Sequence, residues 1–244
     1  MIQADQPTCF PSQLLVAVSS KSDGTVLDKS QGIHHPEIVA NRVRFCAQVG
    51  VDYRDVVYQR IQYGDDQTYQ RIARVDSRLT SRHVEHVAAD ALYTTERGVG
   101  LFLPVADCVA TVMYCPTRRA VALLHLGRHS SLTPLLQSVV QQFISDGSLA
   151  ADLLVWMSPS VHQSHYQLEY FTPASQPEWH DFVVQKNGEY YVDLLGFNRE
   201  QCVRAGVLAQ NITRSPINTA TNPHYFSHSQ GETGGRFGLL AIIK

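Results

Sequence analysis

The sequence predicts a domain of mixed α and β structure that is not a purely parallel doubly wound sheet. Three observations carry this. Short apolar runs rich in β-branched residues have strand length, and segments with helical periodicity alternate with them. Two of the runs are joined by Cys115-Pro116-Thr117-Arg118-Arg119, a turn-forming segment that implies a hairpin and antiparallel pairing. A length of 244 residues with 44% hydrophobic content suffices for one substantial core. No internal repeat, low-complexity tract or flexible linker divides the chain, so residues 1–244 are expected to form a single domain.

In chain order, the first expected strand is 14–19, followed by a polar loop over 19–33. A helix is expected from Pro36, since proline's fixed φ and missing N–H suit a first turn. Ile38, Val39, Val43 and Cys46 share its apolar face and Gly50 ends it. Strands are expected over 56–63 and 100–105, then the hairpin pair 109–114 and 120–125. Thr133-Pro134 opens a second helix with Leu136, Val139, Val140 and Phe143 on one face and Gly147 after it. A strand over 153–157 follows. Asn198 is expected to cap a third helix that carries Cys202 and Val203 and stops at Gly206; 214–223 reads as a polar loop and 238–243 as a final strand.

Twenty basic against twenty-two acidic residues give a formal charge of −2, with no block of like charge. That balance offers no electrostatic footprint for nucleic acid or an anionic membrane. Five widely spaced cysteines without a CxxC argue against a disulfide framework or a finger-type zinc site. The N-terminus has neither a basic region nor an apolar h-region, and no run approaches transmembrane length, so a cytoplasmic protein is expected.

Two groups at the ends of expected core strands point to chemistry. Cys108 follows Val105-Ala106-Asp107, and His125 closes the second arm of the hairpin just before Leu126-Gly127. A thiol and an imidazole supply part of a metal site, or a nucleophile with its base, and Asp107 is placed to orient that base. Cys46, Cys115 and Cys202 lie on apolar faces or in strand patterns and are expected in the core. Gly127 allows the backbone to turn sharply or approach a ligand. His129, His162, His165, His224 and His228 fall in segments that read as loops. Gly231-Glu232-Thr233-Gly234-Gly235-Arg236 lacks the order of a P-loop and precedes a strand rather than a helix. It remains a turn able to bring Arg236 to an anion. No GxSxG, HExxH or Rossmann glycine fingerprint occurs.

The order of these motifs resembles the laccase-domain family, also called multicopper polyphenol oxidase or peptidoglycan editing factor. The resemblance runs through Asn41-Arg42, Ala89-Asp90-Ala91-Leu92-Tyr93-Thr94, Gly98-Val99-Gly100-Leu101, Ala106-Asp107-Cys108 and His125-Leu126-Gly127. It continues through Ser158-Pro159-Ser160-Val161, Val192-Asp193-Leu194 with Asn198-Arg199, Tyr225-Phe226-Ser227 and Thr233-Gly234-Gly235-Arg236. The resemblance implies an α+β fold, a layered α/β/β/α arrangement with mixed sheets related to cytotoxic necrotising factor-like cysteine hydrolases. It also implies zinc, or copper or another transition metal, held by the cysteine and two histidines. The implied activities are phosphorolysis of purine nucleosides, deamination of adenosine and polyphenol oxidation, with peptidoglycan editing proposed for bacterial members.

The chain departs from the family pattern at several motif positions. Gln-Val-His-Gly reads Ile61-Gln62-Tyr63-Gly64, which puts Tyr63 in the place of a ligand histidine. His-Ala-Gly-Trp-Arg-Gly reads His125-Leu126-Gly127-Arg128-His129-Ser130, without the tryptophan and with the arginine shifted or lost. Phe-Ser-Tyr-Arg reads Phe226-Ser227-His228-Ser229. Histidines appear in the same loops, and His129 or His165 is expected to complete the Cys108–His125 pair as a relocated metal ligand, with Arg236 and His228 on the substrate.

Three functions follow. The first is a metal-dependent enzyme on purine nucleosides, in which the missing arginine counts against phosphorolysis more than deamination. The second is a catalytically degenerate paralogue that binds a ligand or partner, with no metal. The third is metal-free Cys–His hydrolysis. A small-molecule ligand and a monomer or homodimer are expected throughout.

Overall fold

The hairpin expected across Pro116 is the centre of the structure, a computed structural model that describes residues 1–80 and 87–244. Fourteen strands are formed among the described residues. They are β1 (Leu14–Val18), β2 (Val56–Arg60), β3 (Ile72–Arg74), β4 (Val87–Ala88), β5 (Ala91–Thr94), β6 (Gly100–Val105) and β7 (Val109–Cys115). The second half adds β8 (Ala120–Leu126), β9 (Leu154–Met157), β10 (Gln167–Leu168), β11 (Val183–Lys186), β12 (Glu189–Val192), β13 (Ile212–Arg214) and β14 (Phe237–Ile243). The α-helices are α1 (Pro36–Gln48), the single turn α2 (Ser77–Thr80), α3 (Leu135–Ser145) and α4 (Leu194–Arg204).

Two mixed sheets result. One has the order β1-β14-β6-β2-β4, antiparallel at β1–β14–β6 and parallel at β6–β2–β4. The other has the order β13-β9-β7-β8-β5-β3, with parallel pairs only at its two edges. A small antiparallel sheet, β10-β12-β11, stands apart.

Alternation along the strands sets the layers. On β6, Leu101, Leu103 and Val105 share a buried cluster with Ala110, Val112 and Tyr114 of β7, which packs the two large sheets face to face. Phe102 points the other way, into a cluster with Phe45 and Cys46 of α1. Val109, Met113 and Cys115 turn outward from β7 onto Leu136, Val139 and Phe143 of α3 and Phe197 and Cys202 of α4. Helix, sheet, sheet and helix therefore succeed one another. Strands covered on both faces explain why β6, β7 and β8 are buried at every position and read as continuous apolar runs. No helix among the described residues is long and apolar enough to cross a membrane.

The structure corrects two expectations and adds a hairpin. Asn198 does not cap the third helix. Asp193 does, its carboxylate accepting from the Gly196 N–H at 2.8 Å, while Asn198 lies inside α4 and donates to Leu194 O and Ser131 Oγ. The strand expected over 56–63 stops at Arg60, where its parallel pairing with β4 ends at Ala88. That leaves Tyr63 on a loop. Finally, β11 and β12 are joined by Asn187-Gly188, both at positive φ (53° and 86°), a hairpin signal the sequence reading had passed over.

Candidate functional site

β6 belongs to one large sheet and β7 to the other, so Ala106-Asp107-Cys108 carries the chain between them. The crossing needs a sharp turn, and Asp107 supplies it at φ 70°, a left-handed conformation that a short polar side chain tolerates. Its carboxylate holds the turn by accepting from Thr219 Oγ1 (2.6 Å), Ser227 Oγ (2.9 Å) and the Ser229 N–H (2.6 Å). Those donors lie on the segment between β13 and β14. Asp107, expected to orient a base, is thus bonded to this segment and not to His125.

Cys108 emerges from the crossing, and His125 stands across the β7–β8 ladder in register with Ala110. The backbone of His125 is fixed by its N–H to Asp90 O (2.9 Å) and by Ser130 Oγ donating to its carbonyl (2.7 Å). Its ring Nδ1 is buried without a hydrogen-bond partner. Both side chains converge on Gly127: a Cβ there would lie 2.8 Å from Cys108 Sγ and 3.1 Å from His125 Cε1. Only glycine leaves room for the pair.

Burial makes both groups neutral. It pushes the Cys108 thiol up to about 12, with help from the Asp107 charge and against Arg236 and Lys29. It pushes the His125 imidazole down to about 4, helped by Arg236, His129 and Lys29. Near pH 7 the pair is a thiol beside an uncharged imidazole.

These residues floor a cavity of about 700 Å³. It brings together the residues expected to act on a metal or a substrate: Asp107, Cys108, His125, Tyr63, His129, His165, His228 and Arg236 all line it, whereas His162 and His224 do not. His129 stacks on Tyr69 with centroids 4.6 Å apart, and Tyr63 meets His125 edge-on at 6.5 Å. Tyr63 is 56% exposed yet sits within the concavity. The surrounding protein there raises its phenol pKa, as does the Cys108 charge. His165 Nδ1 accepts from Asn218 Nδ2 (3.0 Å) and lies 2.8 Å from Ser164 Oγ. Arg236 donates through one nitrogen to the Thr233 and Gly235 carbonyls, a consequence of the glycine-rich turn.

Cys108 and the orphaned Nδ1 of His125 are donors a transition metal accepts, but a catalytic zinc site needs three protein ligands. Among the described residues no group of three or more His, Cys, Asp or Glu side chains is placed to hold a metal. The relocated ligands do not complete the pair: neither His129, stacked on Tyr69, nor His165, held by Asn218, is grouped with Cys108 and His125, and Tyr63 offers a phenol whose ionisation is suppressed. The positive charges of Arg236 and Lys29 act on the same floor. The described residues therefore do not fit the metal that the family implies.

Sequence reasoning missed Lys29, Tyr69 and Tyr166, which also line the cavity. Lys29 lies in a polar loop without periodicity. Tyr69, at φ 52°, follows a stretch with no strand or helix signal. Tyr166 lies just beyond the Ser158-Pro159-Ser160-Val161 motif, and only the cavity distinguishes it from a surface ring.

The profile of the family described as multi-copper polyphenol oxidoreductase laccase matches residues 21–244. The chain is similar to purine nucleoside phosphorylase YlmD of Bacillus subtilis, 25% identical over 99% of this chain and 94% of that protein. It is 29% identical to adenosine deaminase RL5, from an unknown prokaryotic organism, over 71% of this chain and 69% of that protein. The crystal structure of YlmD from Geobacillus stearothermophilus has the same fold, with a TM-score of 0.82 at 22% identity over 98% and 94% of the two chains.

Proposed function

Because the chain belongs to the multi-copper polyphenol oxidoreductase laccase family, we propose that its cavity takes a purine nucleoside and that phosphorolysis is its reaction. One observation carries this reading: a single cavity has an aromatic side (Tyr63, Tyr69 and His129) and a polar floor (Cys108 and His125). Aromatic faces stack a base at about 1–3 kcal/mol each. The floor offers a ribose or base edge an S–H and an uncharged imidazole, whose Nδ1 is free to bond. The names of the relatives, a phosphorylase and a deaminase, support the same ligand class.

Between the two reactions, the lost motif arginines argue against phosphorolysis, but the cavity still holds Arg236. Deamination needs an activated water. No metal group exists among the described residues, and Asp107 is committed to three donors. That balance favours phosphorolysis. Metal-free hydrolysis through Cys108 is disfavoured, since a thiol near 12 carries negligible thiolate at neutral pH. The substitution at Tyr63 favours a second reading, a protein that binds the nucleoside without turning it over.

Incubating the protein with adenosine or inosine, with and without phosphate, separates these outcomes. Phosphate-dependent release of free base is expected. Inosine formed from adenosine overturns phosphorolysis in favour of deamination. Calorimetric binding with no product moves the protein to the second reading, and no binding at all removes the nucleoside.

A further inference from the structure

Lys29 and Arg236 reach the cavity from loops far apart in sequence. Lys29 Nζ lies 5.1 Å over the ring of Tyr63, the residue standing where the family pattern has a ligand histidine. Arg236 is only 7% exposed, and its hydrogen bonds to Thr233 and Gly235 use one of its three guanidinium nitrogens. Neither cation forms an ion pair among the described residues. The two carboxylates on the cavity accept their hydrogen bonds from other groups, although the Arg236 charge also reaches Asp28. Asp28 accepts from the Ser30 N–H (2.8 Å) and hydroxyl (2.6 Å), and Asp107 holds the strand crossing.

The two positive charges press on each other. Enclosure by the cavity walls, although the side chain is largely exposed, and then the Arg236 charge push Lys29 down. An anion placed between them would relieve that repulsion and collect hydrogen bonds from a guanidinium and an ammonium.

We propose that Lys29 and Arg236 form a two-cation subsite for a phosphate oxyanion, supplied as free phosphate or as the ester of a nucleoside 5′-monophosphate, and that this subsite provides the positive charge a metal ion would otherwise bring. The rest of the ligand rests on the nucleoside reading above; the anion subsite does not.

Calorimetry on the full chain after EDTA treatment tests it, with inorganic phosphate, adenosine and adenosine 5′-monophosphate as probes. Phosphate is expected to bind, and to weaken as salt rises. Lys29→Gln, on an exposed side chain, is expected to lower phosphate affinity about tenfold. Lys29→Arg should retain it, and the distant Lys186→Gln should change nothing. Phosphate and adenosine binding together identify free phosphate as the source. A monophosphate that binds more tightly than adenosine and excludes phosphate identifies the ester. The proposal is overturned if phosphate affinity is the same in Lys29→Gln, or if binding disappears with EDTA and returns with zinc. It is also overturned if phosphate does not bind and the monophosphate binds no better than adenosine. Phosphate binding that depends on Lys29, with no adenosine binding, leaves the subsite standing and removes the nucleoside reading.

Discussion

Cys108 and His125 stand at the ends of long core strands, whereas Tyr63, Lys29, His129, His165 and His228 enclose the same cavity from loops and single helical turns. On the floor, the backbone is fixed by the β7–β8 ladder, by Ser130 and by the three bonds to Asp107. On the rim, side chains meet through ring contacts and side-chain hydrogen bonds. The departures from the family pattern touch the two unequally. The floor keeps its thiol and imidazole, with Leu126 and Ser130 altered beside them, while Tyr63, His129 and His228 stand at altered motif positions on the rim. A rigid floor constrains substitution, and a loop-borne rim permits the electrostatics of the site to be rebuilt around it.

If that contrast is correct, floor substitutions cost stability and rim substitutions change binding. The largest loss is expected for Asp107→Ala, which removes a buried acceptor of three bonds and leaves a β-carbon at positive φ. Urea unfolding should show a loss of about 3 kcal/mol or more. A loss below about 1 kcal/mol would mean that the strand crossing is held by something else.

Next comes acid. His125 titrates near 4 in the folded protein and near 6.5 when unfolded. Between those values the unfolded chain binds more protons, so stability falls as pH drops from about 6.5 towards 4, by about 2–3 kcal/mol from this residue. Unfolding at pH 7 and 4.5 should lose that share of its slope in His125→Gln; an unchanged slope places the sensitivity elsewhere.

Gly127→Ala forces a methyl group against Cys108 and His125 and should cost about 1–3 kcal/mol. Retention of full stability with normal nucleoside binding would show the floor to be softer than its contacts imply. The smallest stability change is expected on the rim. Tyr63→His should move stability by no more than about 0.5 kcal/mol, while adding a third donor beside Cys108 and His125. Elemental analysis of tag-free protein should find zinc well below one per chain in the original and closer to one in the variant. Stoichiometric zinc in the original would break the contrast.

The floor was legible in the sequence because buried strands impose continuous apolar runs. Cys108 and His125 stand out as the polar ends of such runs, and the hairpin between them follows from Pro116. The motif order extended that reading to the family and the mixed sheets. The rim was legible only where a motif position had changed, and Lys29, Tyr69 and Tyr166 were not. Lys29 approaches Tyr63 across a polar loop whose path is set by distant contacts, and Asp107 looked like a partner of the imidazole beside it in space. Its actual partners are more than a hundred residues away in sequence, on a segment with no periodic signal. The Asn198 expectation failed locally, because Asp193 competes for the same helix start and lies where the first free N–H groups are.

The bond from the Ser229 amide to Asp107 Oδ2 also makes that one proton an observer of the whole cavity. Ser229 lines the rim and Asp107 anchors the floor, so the amide exchanges with deuterium only when the two part. A ligand that bridges them should slow this exchange more than that of neighbouring loop amides. Occupancy of the site would then be visible without a reaction, a chromophore or a label.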